Sequence, residues 1–362
     1  MKLSHSKLGV ILNCPMTYHL SYEEGISLKV EKSALAIGSA VHWGIEHNTE
    51  DLSDYYGKIE YGRDQLLAES MVHGYFKHKD EIFDKILIDE KSGEKLTLID
   101  ENHELYLSAS LSSYKYEIPH EFVGIIDLLL LTNKGFIIVD YKTSTMEPDW
   151  DNYSDQLYRY IYLLKQNFPD VPVIKIAIIN LRKTSIRQKK TENESQFLNR
   201  LKFEYDLNDD KLVNYHEFPF EYIEATKMDE YIKNLSKMAD TAQMILESGN
   251  RFINFAAAKN NYGKSDYWDI FYHTPDAYLL YKIKDTIWND DLSCFEEYRD
   301  CREIDMKAIE NIPLMNHYKD FREIYEACDC NLKETKKFIK NNGYIIDNDL
   351  IKIYENNLKH DV

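Results

Sequence analysis

Asp127, Asp140 and Lys142 lie in one short segment, EFVGIIDLLLLTNKGFIIVDYKTS, residues 121–144. Two strongly β-prone runs flank Asn133 and Gly135, which supply turn chemistry, so the segment reads as a β-hairpin. A loop of two residues (133–134) or of four (132–135) gives the same register, and either sets Asp127 directly opposite Asp140, with Cβ atoms roughly 4.5–5.5 Å apart. Strand alternation puts Lys142 on the face of Asp140 and turns Tyr141 away. Two facing carboxylates on an apolar hairpin are costly unless a cation neutralises them or one is protonated. Oxygen ligands of this kind suit Mg²⁺, which keeps waters and takes its other ligands from carboxylates and a substrate phosphate. Such an ion activates water and stabilises charge at a phosphorus centre, and a lysine beside it orients the water or offsets negative charge. From these three residues alone, a solvated hairpin on which the aspartates only salt-bridge Lys142 is an equal reading.

The rest of the chain must supply and position further ligands. Residues 1–50 read as helical, with Gly38-Ser39 before AVHWGIEHN; Ser39 is a plausible N-cap for a helix carrying His42, and Glu46 one turn on could bond that histidine. A second helix is expected over about 60–77. From Lys95 onward KLTLI, ELYLSASLSSYKYEI and the hairpin read as strands. Residues 151–166 have helical spacing, with Gln156 and Tyr160 on one face. VIKIAIINLRKTSIRQKK reads as a strand running into a basic hairpin or edge, where Arg182, Lys183, Arg187, Lys189 and Lys190 form either a solvated rim or a phosphate-tracking one. Residues 222–248 suit an amphipathic helix closed by Gly249. Strands, helix and strand in this order indicate an α/β or α+β core.

The chain of 362 residues, 44% hydrophobic and 29% charged, is long enough for more than one domain. No run of about 18 apolar residues suggests a membrane span, and no small-residue cleavage site follows the N-terminus. Five cysteines, odd in number and unevenly spaced, do not form a disulfide framework, so a reducing, cytoplasmic location is expected. A net charge of -18 argues against nonspecific coating of nucleic acid, unless the carboxylates gather around metal and the basic groups line one groove. The 28 tyrosines and 13 glycines, with many Asn, Lys and Ile, fit an AT-rich genome such as a phage's.

Taken in order, these residues resemble the RecB-like nucleases of the PD-(D/E)xK type, the group that includes the AddB nuclease domains and the CRISPR-adaptation exonucleases. Gly124-Ile-Ile-Asp127 and Ile138-Val-Asp140-Tyr-Lys142-Thr-Ser carry the core of the resemblance. Gly38-Ser-Ala-Val-His42, Gln156-Leu-Tyr-Arg-Tyr160 and Cys14-Pro-Met-Thr-Tyr18 fall in the same places as the family's outlying elements. The resemblance implies a restriction-endonuclease-like core, a mixed central sheet flanked by helices, over residues 1–275. A mainly helical region over 276–362 would follow, where the segment around Asn331 faintly resembles a helix-turn-helix. It further implies Mg²⁺ or Mn²⁺ held by His42, Asp127, Asp140 and the Tyr141 carbonyl, with Lys142 assisting the attacking water. Gln156 and Tyr160 would contact nucleic acid, joined by Arg182, Lys183 and Arg187. The expected activity is a DNA exonuclease of recombination, repair or phage DNA processing, working with a helicase or recombination protein; the alternative is a catalytically silent DNA- or protein-binding subunit. Relatives with an iron–sulfur cluster draw three ligands from a C-terminal cysteine segment. Its counterpart here, Tyr262–Phe271, has no cysteine, so no cluster is expected, and Cys294, Cys301, Cys328 and Cys330 read as incidental thiols.

Overall fold

The computed structural model describes residues 1–28, 33–56, 62–89, 92–147, 150–208, 211–218, 225–260, 263–272, 280–283, 286–289 and 294–297. Contacts divide the chain into two compact units. One comprises Met1–Leu8 and Glu31–Gln243, and the other Gly9–Val30 with the chain from Met244 onward.

The first unit is a mixed α/β layer structure. Its strands are β1 (Lys2–Leu3), β2 (Leu98–Leu111), β3 (His120–Thr132), β4 (Phe136–Lys142), β5 (Val173–Leu181) and β6 (Val213–Glu217), and its helices include α1 (Ser33–Glu46), α2 (Arg63–Ile86), α3 (Trp150–Asn167) and α4 (Glu194–Leu207). The sheet runs β1-β3-β4-β5-β6, with β2 also pairing β3. β4 and β5 are parallel, joined through α3, whereas β3–β4 and β5–β6 are antiparallel. One face packs Leu128, Leu130, Ile137, Val139, Tyr141, Ala177 and Ile179 against Ile37, Val41, Met71, Val72 and Tyr205 from α1, α2 and α4. The other face carries α3, which Gly124 admits closely: a Cβ there would stand 2.8 Å from Leu163 Cδ1. A mixed central sheet between helices is thus the architecture, as expected.

The hairpin joining β3 and β4 fixes the register. Thr132 and Gly135 exchange both backbone hydrogen bonds around a two-residue loop, and Leu131↔Phe136 through Leu128↔Val139 follow without a slip. Gly135 has φ 148°, and a Cβ on it would fall 2.3 Å from the Pro172 carbonyl oxygen. Only glycine fits this corner.

Several expectations are corrected. α1 starts at Ser33, not at Ser39, because Ala36, Ile37, Ala40, Val41 and Ile45 form one buried stripe at helical spacing. Gly38 therefore lies inside the helix, where a Cβ would stand 3.1 Å from Thr143 Oγ1. α2 extends to Ile86, and β2 is one strand ending at Leu111. The basic segment after β5 begins beside a strand paired on both sides, so it is not a sheet edge. The helix after β6 spans Ala225–Glu247, with Gly249 at φ 66°.

In the second unit, Cys14, Met16, Leu20, Ile26, Tyr267, Trp268, Phe271 and Tyr281 form an aromatic-rich core. Cys14 is buried, with its thiol 4.0 Å from the Phe252 carbonyl. Within 276–362 the described residues include the short strands Tyr281–Ile283, Thr286–Asn289 and Cys294–Glu297. The segment around Asn331, with Cys301, Cys328 and Cys330, lies outside the described residues. Among the described residues no helix is long and apolar enough to cross a membrane.

Replacing Gly135 by alanine should lower stability by about 1–3 kcal/mol, since both the backbone angle and the carbonyl contact oppose a side chain. Denaturant titration of Gly135→Ala checks this, and an unchanged midpoint would mean that the corner relaxes freely.

Candidate functional site

Along one edge β3 pairs with β2 from Leu111↔His120 to Leu98↔Thr132, with one pair skipped at Glu104 and Asp127 and a register shift between Leu98 and Asp100. Its other edge is shared: β4 pairs only with residues 128–131 and β1 only with Glu121 and Phe122. Between them, residues 123–127 of that edge have no strand partner among the described residues. In an antiparallel ladder the hydrogen-bonded pairs recur every second residue. Counting from Thr132/Gly135, the next such pair beyond Leu128/Val139 would be Ile126/Tyr141, where the ladder has already ended. Two side chains take its place: the Tyr141 N–H donates to Asp127 Oδ2 at 2.8 Å, and the Tyr141 carbonyl lies 3.1 Å from His42 Nε2.

This arrangement brings His42 to the site from α1, with Nδ1 3.7 Å from Asp127 Oδ2. The close approach of Gly38 to Thr143 is what lets α1 reach the end of β4. The partners of His42 are Tyr141 and Asp127 rather than Glu46. Tyr141 is anchored from beneath, its hydroxyl 3.0 Å from that of Tyr75 and its ring edge-on to His42.

Asp140 and Lys142 project towards α3. Asp140 is buried, and Lys142 Nζ lies 2.5 Å from its Oδ2. Gln156 sits between them, its Nε2 3.4 Å from Asp140 Oδ1 and its Oε1 3.4 Å from Lys142 Nζ; both are long contacts. Gln156 Nε2 also donates to the Tyr160 hydroxyl at 2.7 Å. Tyr160 is itself buried, so it braces Gln156 in this structure rather than presenting a surface to a polymer. The Tyr153 ring lies 5.1 Å from Lys142 Nζ, within cation–π range.

A carboxylate not anticipated from the sequence joins the group. Glu104 of β2 lies at the register position facing Asp127, where the ladder skips one pair between His103↔Leu128 and Leu105↔Ile126. Its backbone takes φ 47°, uncommon for a residue with a side chain. Across this point the alternation of β3 shifts, since Gly124 meets α3 while Leu128 and Leu130 face the opposite core. His42, Glu104 and Asp127 each offer a ligand atom within 4.8 Å of the others. Asp140 stands outside that trio. The only sequence signal for Glu104 would have been the β2–β3 register.

The electrostatics follow from this crowding. Burial, then the nearby Asp127 carboxylate, raise the Asp140 carboxyl above its ordinary range, although Lys142 and His42 oppose them. Burial works against the Lys142 ammonium, but the Asp140 and Asp127 carboxylates outweigh it and hold its pKa above the usual lysine value. Both partners of one ion pair thus shift upward, because one lysine does not compensate the buried Asp140 and the neighbouring Asp127 carboxylate. Glu104 is pushed up to about 7 by burial and by Asp127, Glu46 and Asp140. An excess of carboxylate oxygens beside an imidazole and a carbonyl without a strand partner is a donor set for a hard divalent cation, so these residues fit one.

The basic residues beyond β5 divide. Lys183 Nζ donates to the Ala34 carbonyl at 3.1 Å and lines a cavity with Lys142, and burial lowers its pKa. Arg182 Nη2 donates to the Thr145 carbonyl at 3.3 Å, with Glu147 3.6 Å away. Arg187, Lys189 and Lys190 are exposed.

The family profile described as "PD-(D/E)XK nuclease superfamily" matches residues 2–252. Among solved structures, the chain is similar to a "Putative exonuclease" from Eubacterium rectale at 12% identity and a TM-score of 0.41, over 70% of this chain and 89% of that one. It is similar also to SSO0001 at 14% identity and a TM-score of 0.20, over 55% and 84%. No curated protein matches the chain by sequence.

The ordinary glutamate value is 4.5, so a folded value near 7 means that folding loses free energy as pH rises from about 4.5 to 7. Glu104→Gln should therefore stabilise the metal-free protein at pH 8 by about 1–2 kcal/mol, after discounting for partial exposure, and leave it unchanged at pH 4. Urea titration in a chelator at both values checks the sign; equal effects at both would remove the electrostatic cause.

Proposed function

The chain belongs to the PD-(D/E)XK nuclease superfamily, and on that premise we propose that it is a divalent-metal-dependent DNA exonuclease of the RecB-like branch. The observation that carries the reading is the convergence of Asp127 and His42 on the Tyr141 backbone, with the Asp140–Lys142 pair adjoining. His42, Asp127, Asp140 and the Tyr141 carbonyl would hold Mg²⁺ or Mn²⁺, with Glu104 as a further carboxylate. The ion, when bound, supplies Lewis-acid stabilisation of the phosphate charge and acidifies water.

The chain's own residues do the rest. Tyr141, locked by Tyr75, keeps its N–H on Asp127 and so fixes one carboxylate oxygen. Gln156 steadies Asp140 and Lys142 together, and Tyr160 steadies Gln156. Lys142 stays charged beside two carboxylates and can direct its ammonium towards the attacking water or a non-bridging phosphate oxygen. Lys183, Arg182 and Arg187 lie along the path of the DNA backbone in this reading, where their positive charges offset the phosphates although the chain as a whole stands at -18. Work in recombination, repair or phage DNA processing, in the cytoplasm and beside a helicase, follows from the family resemblance.

With Mn²⁺ and linear DNA, Asp140→Ala and Lys142→Ala should each lower kcat by about 10²–10⁴-fold. Calorimetric Mn²⁺ binding should fall for Asp127→Asn and persist for Lys142→Ala. Metal-dependent cleavage retained by both the Asp140 and the Lys142 variant would defeat the assignment. Metal and DNA binding without cleavage in the parent protein would point to a silent binding subunit, and RNA offered in parallel decides the polymer.

A further inference from the structure

Two cavities flank His42, and they share Gly38, Ser39 and His42 as a common wall. They differ sharply in chemistry. One, of about 330 Å³, is lined by Lys142, Lys183, Thr143, Ser144 and Tyr153. The other, of about 380 Å³, is lined by Trp43, Tyr55, Glu46 and Glu104. A polyanionic strand is attracted to the first and repelled by the second. The aromatic walls of this second lobe nevertheless suit a nucleobase, since bases stack on aromatic side chains in any sequence.

We propose that the Trp43/Tyr55 lobe is a terminal-nucleoside subsite: it takes the uncharged end nucleoside of a strand whose phosphates lie in the Lys142/Lys183 lobe, and Glu46 repels a strand that continues through it. The proposal rests on the nuclease reading above and adds a reason for action at ends. A groove cationic throughout would pass an unbroken strand. Here the charge changes sign across His42, so the chain of phosphates must stop there. Trp43 is half-buried against the helical core and stacks on His47 with centroids 4.2 Å apart, which fixes its ring as a wall of the lobe. Tyr55 lies 5.8 Å from it, tilted by 49°, and forms a second wall.

Three forms of one oligothymidylate test this with Mn²⁺: linear with hydroxyl ends, linear with phosphate at both ends, and circular. The parent protein should degrade the hydroxyl-ended form, act on the phosphate-ended form about ten-fold more slowly, and leave the circle uncut. Tyr55→Ala should raise KM for the linear form about ten-fold with kcat nearly unchanged, as expected for the loss of one stacking partner. Glu46→Lys should reduce the penalty of the terminal phosphate and begin to open the circle. Equal rates on all three forms by the parent would overturn the subsite, as would a Tyr55→Ala variant indistinguishable from it. A second arm needs no catalysis: thymidine dinucleotide added with Ca²⁺ should change the tryptophan fluorescence of the parent but not that of Trp43→Phe. Should no form be cut, the nuclease reading fails by itself, and the fluorescence arm alone decides the pocket. A response shared by Trp43→Phe would place the base elsewhere and end the proposal.

Discussion

Everything at the site depends on one constraint of the sheet, that β3 has more length than its second edge has partners. β4 leaves it after Leu128 and β1 begins only at Phe122, so an edge of five residues opens in the middle of a well-packed sheet. Backbone groups at such a parting still need partners. The Tyr141 N–H finds Asp127, and its carbonyl finds His42. Satisfying the backbone and assembling a ligand set are here the same event. The structure needs Gly38 for the same reason: α1 must come near enough to Thr143 for His42 to reach a strand terminus.

The gathering of acids has an electrostatic cost, and its traces are consistent. Asp140 and Glu104 are both held towards protonation, while Lys142 is held charged. One ammonium among these carboxylates cannot balance them. A cation of higher charge relieves the excess and supplies phosphoryl-transfer chemistry in the same place. The net charge of -18 is then compatible with a nucleic-acid substrate, because the cationic Lys142/Lys183 cavity adjoins the acidic one rather than covering the surface.

Local patterns in the chain made the hairpin legible. Turn chemistry at Asn133–Gly135 and the length of the two apolar runs set the β3–β4 register, which holds from Leu131↔Phe136 to Leu128↔Val139. Features that depend on distant pairings were not legible. Glu104 faces Asp127 only through the β2–β3 ladder, across the irregular connection at 112–119, and its unusual backbone angle leaves no mark in the sequence. Ser39 looked like a helix start because Gly38-Ser39 resembles a capping sequence. The buried stripe from Ala36 to Ile45 outweighs that local preference and draws the helix back to Ser33. Gln156 and Tyr160 could be placed on one helix face from their spacing, but the burial of Tyr160 is a property of tertiary packing alone.

The central claim is that the gap beside Tyr141 is a cation site, and a crystal structure soaked with Mn²⁺ tests it most directly through anomalous density. The account predicts a peak within coordination distance of the Tyr141 carbonyl oxygen, Asp127 and His42. Density absent from this gap at saturating Mn²⁺, or bound only by exposed carboxylates elsewhere, would contradict it.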